Sequence, residues 1–276
     1  MSSFVIELFF ICVVAGLAGS LLGIGGGIIV VPVLTLLFHV DIRLAVGASI
    51  ISVIATSSGA AAAYVKEHLT NMRVGMFLEI ATTTGAITGA YVAGLVSQKI
   101  LYVVFGVILA YSSIQMFRGH FRDSTRPVPE DRLADALQLH DAYYDEAEGR
   151  EIRYKVTHTK LGLFLMYIAG MVSGLLGIGS GALKVPAMDL AMRLPMKVSS
   201  ATSNFMIGVT AAASAGVYFA RGDIDPFVAA PVAAGVLVGA VGGSRMLPRL
   251  KNGVIRSLFV MVLLIISIQM LYKGVA

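Results

Sequence analysis

The sequence predicts an all-α polytopic membrane protein made of two inverted-topology repeats of five hydrophobic segments. In each repeat the second segment is a short half-membrane helix after a glycine break. Three observations lead there. The 276 residues are 57% apolar and only 13% charged, with a mean hydropathy of +0.84, a composition far from that of soluble chains. Several apolar runs approach the roughly 20 residues that a helix needs to cross about 30 Å of hydrocarbon. Finally, the chain resembles itself: a shift of 154 residues superposes Gly16–Gly119 on Gly170–Lys273 without a gap. Secreted, fibrous and nucleic-acid-binding proteins are excluded by the first two observations.

The register of the repeat is carried by residues that chance apolar similarity would not align. Gly23-Ile24-Gly25-Gly26-Gly27 falls on Gly177-Ile178-Gly179-Ser180-Gly181, and Val31-Pro32 on Val185-Pro186. Ser49 meets Ser203, Thr56 meets Thr210, Tyr64 meets Tyr218, and Ser113-Ile114-Gln115-Met116 meets Ser267-Ile268-Gln269-Met270.

The first repeat reads as segments at 4–22, 28–38, 44–65, 75–96 and 100–118; the second as 160–176, 182–192, 198–219, 227–247 and 254–272. An odd number of segments sends the second copy into the bilayer from the opposite side. Charge gives an independent argument. With the central connection cytoplasmic, Lys66, Arg73, the cluster from Arg118 to Lys160, Arg193, Lys197, Arg245, Arg249, Lys251 and Arg256 share its side, against Arg43, Lys99, Arg221 and Lys273 opposite. The positive-inside rule then places both termini outside. Three regions follow: residues 1–119, a charged linker at 120–158, and 159–276. Met1-Ser2-Ser3 carries no basic side chain before the first apolar run, so no cleavable leader is expected. The linker reads as solvated, either a plain tether or an amphipathic helix from Pro129 to Glu148 with Leu133, Leu137 and Tyr144 on its apolar stripe.

Each second segment is too short to cross. Eleven residues make a helix of about 16 Å, near half the hydrocarbon thickness. The glycine runs before them would break a helix, and broken backbone at membrane depth is tolerated only where protein or a watery cavity satisfies it. A half-helix starting inside the membrane turns free N–H groups toward its cavity, a cradle for an anion, and glycine lets a ligand reach them. Pro32 and Pro186 suit helix starts. Close helix packing is the competing explanation of these glycines.

Lys184 follows the second glycine run and has Val30 as its repeat partner. An ammonium near the membrane centre is costly unless it faces a cavity or a counter-charge, which makes Lys184 a candidate for anion binding or for a structural ion pair. Asp189 is better placed to meet Arg193 at i+4 than Lys184. The third segments carry Ser49, Ser52, Thr56, Ser57 and Ser58, then Ser199, Ser200, Thr202, Ser203, Asn204 and Thr210. Such donors can replace the hydration of an oxyanion, or simply bond helix carbonyls. Glu79 is a candidate for a coupled proton, although a carboxylate in the first turn of a helix is also ordinary and dipole-favoured; Glu7 has the same two readings. The candidate substrate-binding residues are therefore Gly25, Gly26, Gly27, Ser49, Thr56, Gly179, Ser180, Gly181, Lys184, Thr202, Ser203 and Asn204, with Glu79 for coupling.

At these residues the chain resembles the sulfite exporter TauE/SafE family of membrane permeases. The resemblance rests on Gly19-Ser20-Leu21-Leu22-Gly23-Ile24-Gly25-Gly26-Gly27 with Pro32, on the echo Ser173 to Gly181 with Pro186, and on Ser200-Ala201-Thr202-Ser203-Asn204-Phe205. It implies transport of a small sulfur-containing anion such as sulfite, thiosulfate, sulfoacetate or another organosulfonate across the bacterial inner membrane. The chain departs from the family at Gly47-Ala48-Ser49, where a Gly-Thr-Ser run is common, and in its long charged linker.

The expectation is thus a secondary transporter working by alternating access, embedded in the lipid bilayer. Its partners would be a small anionic substrate and a coupling proton or ion, and a homo-oligomer is left open. A gated anion channel, or a permease for carboxylates or other small anions, is the alternative. No enzyme is expected, since no nucleophile–base pair or metal cluster is legible. No cofactor, metal or nucleic acid is called for: the single Cys12 excludes an intrachain disulfide, and His39, His68, His120, His140 and His158 are scattered.

Overall fold

The computed structural model describes residues 2–120 and 129–275. The linker's Arg122 and the rest of 121–128 lie outside the described residues. The first half contains α1 (Ser2–Leu22), α2 (Gly27–Pro32) with a π turn (Val33–Leu37), α3 (Ile42–Lys66), α4 (Met72–Ala93) and α5 (Gln98–His120). The second contains α7 (Thr159–Leu176), α8 (Gly181–Pro186) with a π turn (Ala187–Ala191), α9 (Met196–Ala220), α10 (Pro226–Met246) and α11 (Asn252–Val275). Six of these, α1, α3, α5, α7, α10 and α11, are long and apolar enough to cross a membrane. Helices α4 and α9 are as long, at 22 and 25 residues, and carry many of the buried polar side chains. Large apolar residues such as Phe10, Ile80, Leu95, Phe219 and Tyr272 lie exposed outside, while Ser49, Thr56, Ser203, Asn204 and Thr210 are fully buried. This is an all-α polytopic membrane protein.

Helix ends are set locally. Asp41, Asn71 and Asp225 cap α3, α4 and α10 by accepting from Arg43 N, Val74 N and Phe227 N. Pro226 supplies the first residue of α10. Packing then pairs the halves: α1 lies on α10, α7 on α4, α5 on α11 and α3 on α9. Glycines permit the closest of these approaches. A Cβ on Gly85 or Gly89 would meet backbone of Tyr167 or Met171, and one on Gly235 or Gly239 would meet Phe9 or Val13, as small residues allow in membrane helices.

Contacts at the helix ends sort into two groups. At one end Gln98, opening α5, bonds Asp41 ahead of α3; Arg221, after α9, bonds Ala90 O of α4; and Lys273 of α11 bonds Thr35 O. At the other end Asn71, ahead of α4, bonds Leu139 O and the Tyr154 hydroxyl of the linker, while Lys197 at the start of α9 bonds Asp145 of the linker.

The linker corrects one expectation. Instead of an amphipathic helix from Pro129 to Glu148, it forms α6 (Arg132–Ala136) and an antiparallel hairpin of β1 (Asp141–Asp145) and β2 (Arg150–Tyr154), with Asp141 opposite Tyr154 and Asp145 opposite Arg150. The reason is periodicity: Tyr143 points inward and Tyr144 outward, as a strand requires. Gly149 at φ 65° closes the turn. Leu137 and Tyr144 are exposed, so the helical stripe does not exist. Nor is the linker a plain tether. Asp145 is buried against Lys197, with Oδ1 to Nζ at 2.7 Å, and Lys197 also bonds Pro248 O. Burial alone would raise the Asp145 carboxyl, but the Lys197 hydrogen bond and charge bring it below the usual carboxylate value.

Candidate functional site

Both glycine runs break their helices, and the breaks meet. Gly23 and Gly25, like Gly177 and Gly179, have positive φ, a conformation that glycine adopts without strain. Ser180 takes φ 58° without being glycine, a cost that surrounding structure must hold. A Cβ on Gly181 would strike Gly23 O and the Ile24 backbone, and one on Gly27 would strike Ser49 Oγ. Packing therefore explains much of the glycine pattern.

The hydroxyls of the third segments serve these breaks. Ser49 Oγ donates to Gly177 O at 2.7 Å, while Ser203 Oγ donates to Gly23 O at 2.5 Å. From α9, Ser200 Oγ also donates to Leu22 O and Asn204 Nδ2 to Ser20 O at 2.6 Å. These bonds satisfy carbonyls that the ending of α1 leaves without helical partners. Gly26 N donates to Thr56 Oγ1 at 3.1 Å, and Gly25 N to Gly19 O at 3.3 Å. Two of the amides expected to face a ligand are thus already bonded within the protein. Ser180 Oγ turns back to Gly179 O, and Thr202 Oγ1 accepts from Asn71 N.

The charged residues gather separately. Lys184 projects from α8 and is 0% exposed. Its Nζ donates to Thr210 Oγ1 of α9 at 2.6 Å and lies 3.6 Å from Glu79 Oε2 of α4. Thr210 in turn donates to Glu79 Oε1 at 2.6 Å, and Thr83 Oγ1 donates to the same oxygen at 3.0 Å. Glu79 is 9% exposed and sits eight residues into α4, not in its first turn, so the dipole account of this carboxylate fails. It is an ion partner reaching from the first half to the second. Asp189 is ion-paired with Arg256 of α11.

Two buried polar atoms here accept no hydrogen bond from the protein, Glu79 Oε2 and Asn204 Oδ1. In folded proteins such atoms are uncommon and call for an explanation. A cavity of about 670 Å³ lies elsewhere, between α5, α7 and α8, where Ser112, Gln115, Leu165, Leu183 and Pro186 line it. Neither Lys184 nor Glu79 lines that cavity. The buried charges are the stronger pointer to function, because apolar clefts between membrane helices form at little cost and a buried ammonium does not.

Sequence reasoning missed the pairing of Thr210 with both charges. The signal was its register with Thr56. It also missed Asn71 and Asp145 as anchors of the linker. Among the described residues, no three His, Cys, Asp or Glu side chains converge to hold a metal.

Residues 8–270 match the profile of the family described as Sulfite exporter TauE/SafE. The chain is 29% identical over 269 residues to the probable membrane transporter protein YunE of Bacillus subtilis, with 95% of each chain covered. It is 24% identical to the probable membrane transporter protein YdhB of the same organism, over 88% of this chain and 90% of the other. A probable membrane transporter protein of Xylella fastidiosa is also 24% identical, covering 94% of this chain and 92% of its own. No solved structure matches the chain. With the family profile spanning nearly its whole length, the chain belongs to the sulfite exporter TauE/SafE family.

Proposed function

We propose that the chain is a secondary transporter that moves a small sulfur-containing anion across the bacterial inner membrane by alternating access. The observation that carries this reading is Lys184: a fully buried ammonium, on the short helix after a glycine break, held against groups from both halves. Broken helices meeting inside the membrane are where secondary transporters place substrate. The opposite ends at which α3 and α9 begin, one beside Gln98 and the other beside Asp145 of the linker, support an inverted relation between repeats. The concentration of Lys and Arg on the linker side supports a cytoplasmic linker and external termini.

In this reading Lys184 supplies charge, Thr210 orients its ammonium, and Asn204 offers polar lining through Oδ1. Rocking of one half on the other works the clasp of Ser49 and Ser203 around the glycine breaks. The glycine amides contribute less than the sequence suggested, given the bonds of Gly25 and Gly26. Glu79 remains the coupling candidate.

The test is a thermal-shift screen of the purified chain against sulfite, thiosulfate, sulfoacetate, taurine, sulfate and matched carboxylates, since a ligand of the native state raises its apparent stability. Selective stabilisation by a sulfur anion, lost in Lys184→Met and partly kept in Lys184→Arg, supports the reading. Unchanged affinity in Lys184→Met removes Lys184 from the site. Saturable, counterflow-competent flux in proteoliposomes distinguishes a transporter from a channel.

A further inference from the structure

The charged cluster is one-sided. Shifted by the repeat, Lys184 corresponds to Val30, Glu79 to Ala233, Thr82 to Val236 and Thr210 to Thr56. At that related place Val30, Val232 and Val236 join Leu8, Cys12 and Leu34 in a hydrophobic cluster, and Thr56 accepts from the Gly26 amide. One half of the pseudo-symmetric pair of places is thus plain core. The other holds an ion pair, with the anion contributed by the first repeat and the cation by the second.

That ion pair is poorly satisfied for a buried one. Its Nζ–Oε2 separation of 3.6 Å exceeds hydrogen-bond range. Lys184 has three donors, of which Thr210 takes one, and Glu79 Oε2 accepts none from the protein. A buried pair kept for stability alone needs good geometry and satisfied lone pairs to offset its desolvation. Here the carboxylate approaches the ammonium with one oxygen while Thr83 and Thr210 hold the other.

We propose that Glu79 is a tethered competitor for the transported anion: its carboxylate takes the place of the substrate's anionic group beside Lys184, and substrate enters only as Glu79 is protonated. This rests on the anion-transport reading above. In the empty site Lys184 (+1) and Glu79 (−1) sum to zero. When a singly charged group binds, one proton from water is taken up on Oε2, Glu79 becomes neutral, and Lys184 (+1) faces the anion (−1). The site is neutral in both states, so neither leaves a net charge inside the membrane, where it would be costly. The proton and the anion leave together on the far side. Transport is then proton-coupled, one proton for each anionic group seated at Lys184.

Other titratable groups around α4 are either bonded elsewhere or exposed. On α9, Lys197 is bound to Asp145 and the Tyr218 hydroxyl to Gly174 O. On α7, Tyr167 is 37% exposed and Lys160 is exposed at the helix start. Beyond α8, Asp189 is paired with Arg256. On α4 itself Arg73 bonds Gln138 O of the linker.

The experiment is calorimetric titration of the purified full chain with methanesulfonate, an organosulfonate that carries a single charge and does not itself titrate near neutral pH, in buffers of different ionisation enthalpy. Wild type is expected to take up about one proton per anion bound and to lose affinity about tenfold per pH unit where Glu79 is ionised in the free protein. Glu79→Gln, which mimics the protonated acid, is expected to bind with no proton uptake and no pH dependence, and to bind tighter than wild type at high pH. Glu79→Asp retains the uptake. Binding by wild type without proton uptake, or uptake unchanged in Glu79→Gln, overturns the proposal while leaving anion transport intact. Absence of binding by wild type to every anion in the screen overturns the transport reading and this proposal with it.

Discussion

Ser49 and Ser203 stand 154 positions apart, and each closes the helix break of the other's repeat: Ser49 bonds Gly177 O and Ser203 bonds Gly23 O. The relation is reciprocal, so the two halves are latched at their most irregular backbone. Removing one hydroxyl leaves a buried carbonyl without that donor. Ser49→Ala and Ser203→Ala are each expected to cost about 1–3 kcal/mol. Denaturant unfolding of the purified protein checks this, and a gain in stability in either variant contradicts the latch.

The crossing of the breaks depends on bare backbone. Gly181→Ala places a methyl group against Gly23 O and the Ile24 backbone, so overpacking of about 1–3 kcal/mol is expected. Gly216 and Gly242 have open space around their missing Cβ, and alanine there is expected to be neutral or mildly stabilising. Comparing apparent Tm values for the three variants is the test.

Asp145 and Lys197 tie the linker to α9 with both side chains buried. Asp145→Ala strands the ammonium and is expected to cost about 3–5 kcal/mol. Because the folded carboxyl titrates below its ordinary value of 3.8, its stabilising contribution is full above that value and is lost as pH falls through the lower folded one. Unfolding measured between pH 6 and pH 2 should show this acid-side loss in wild type, and a smaller one in Asp145→Asn.

Thr210 joins two charges, whereas Thr56 joins an amide to its own helix. Thr210→Val is expected to weaken anion binding and to alter its pH profile, since Lys184 and Glu79 both lose a partner. Thr56→Val removes the acceptor of Gly26 N and is expected to lower stability with little change in that profile. Equal effects of the two substitutions on pH dependence would contradict the one-sided site.

Much of this architecture was legible because hydrophobic length and internal repetition are properties of sequence alone. The expected segments 198–219 and 227–247 became α9 over Met196–Ala220 and α10 over Pro226–Met246, and the short second segments ended as predicted near Phe38 and Met192. The linker was not legible. Leu133, Leu137 and Tyr144 fit a helical period by spacing, but pairing of Asp141–Asp145 with Arg150–Tyr154 decided the outcome, and strand pairing depends on partners rather than on local period. In the site, Lys184 announced itself through the cost of its charge. Glu79 did not, because depth along α4 depends on where that helix begins, and Asn71 starts it early enough to put Glu79 well inside. The destination of each hydroxyl was hidden for the same kind of reason: a serine in a membrane helix has several carbonyls within reach, and tertiary contact chooses among them.

The clasp also bears on how the chain is made. The carbonyls of Leu22 and Gly23 find their donors in Ser200 and Ser203, which leave the ribosome some 180 residues later. Until then the newly inserted first five segments hold bare carbonyls at membrane depth, where lipid offers nothing in exchange. The first repeat is therefore an unfinished half that its sibling completes. Two fragments, divided in the linker, should be rescued from degradation by co-expression and should each be short-lived when synthesised alone.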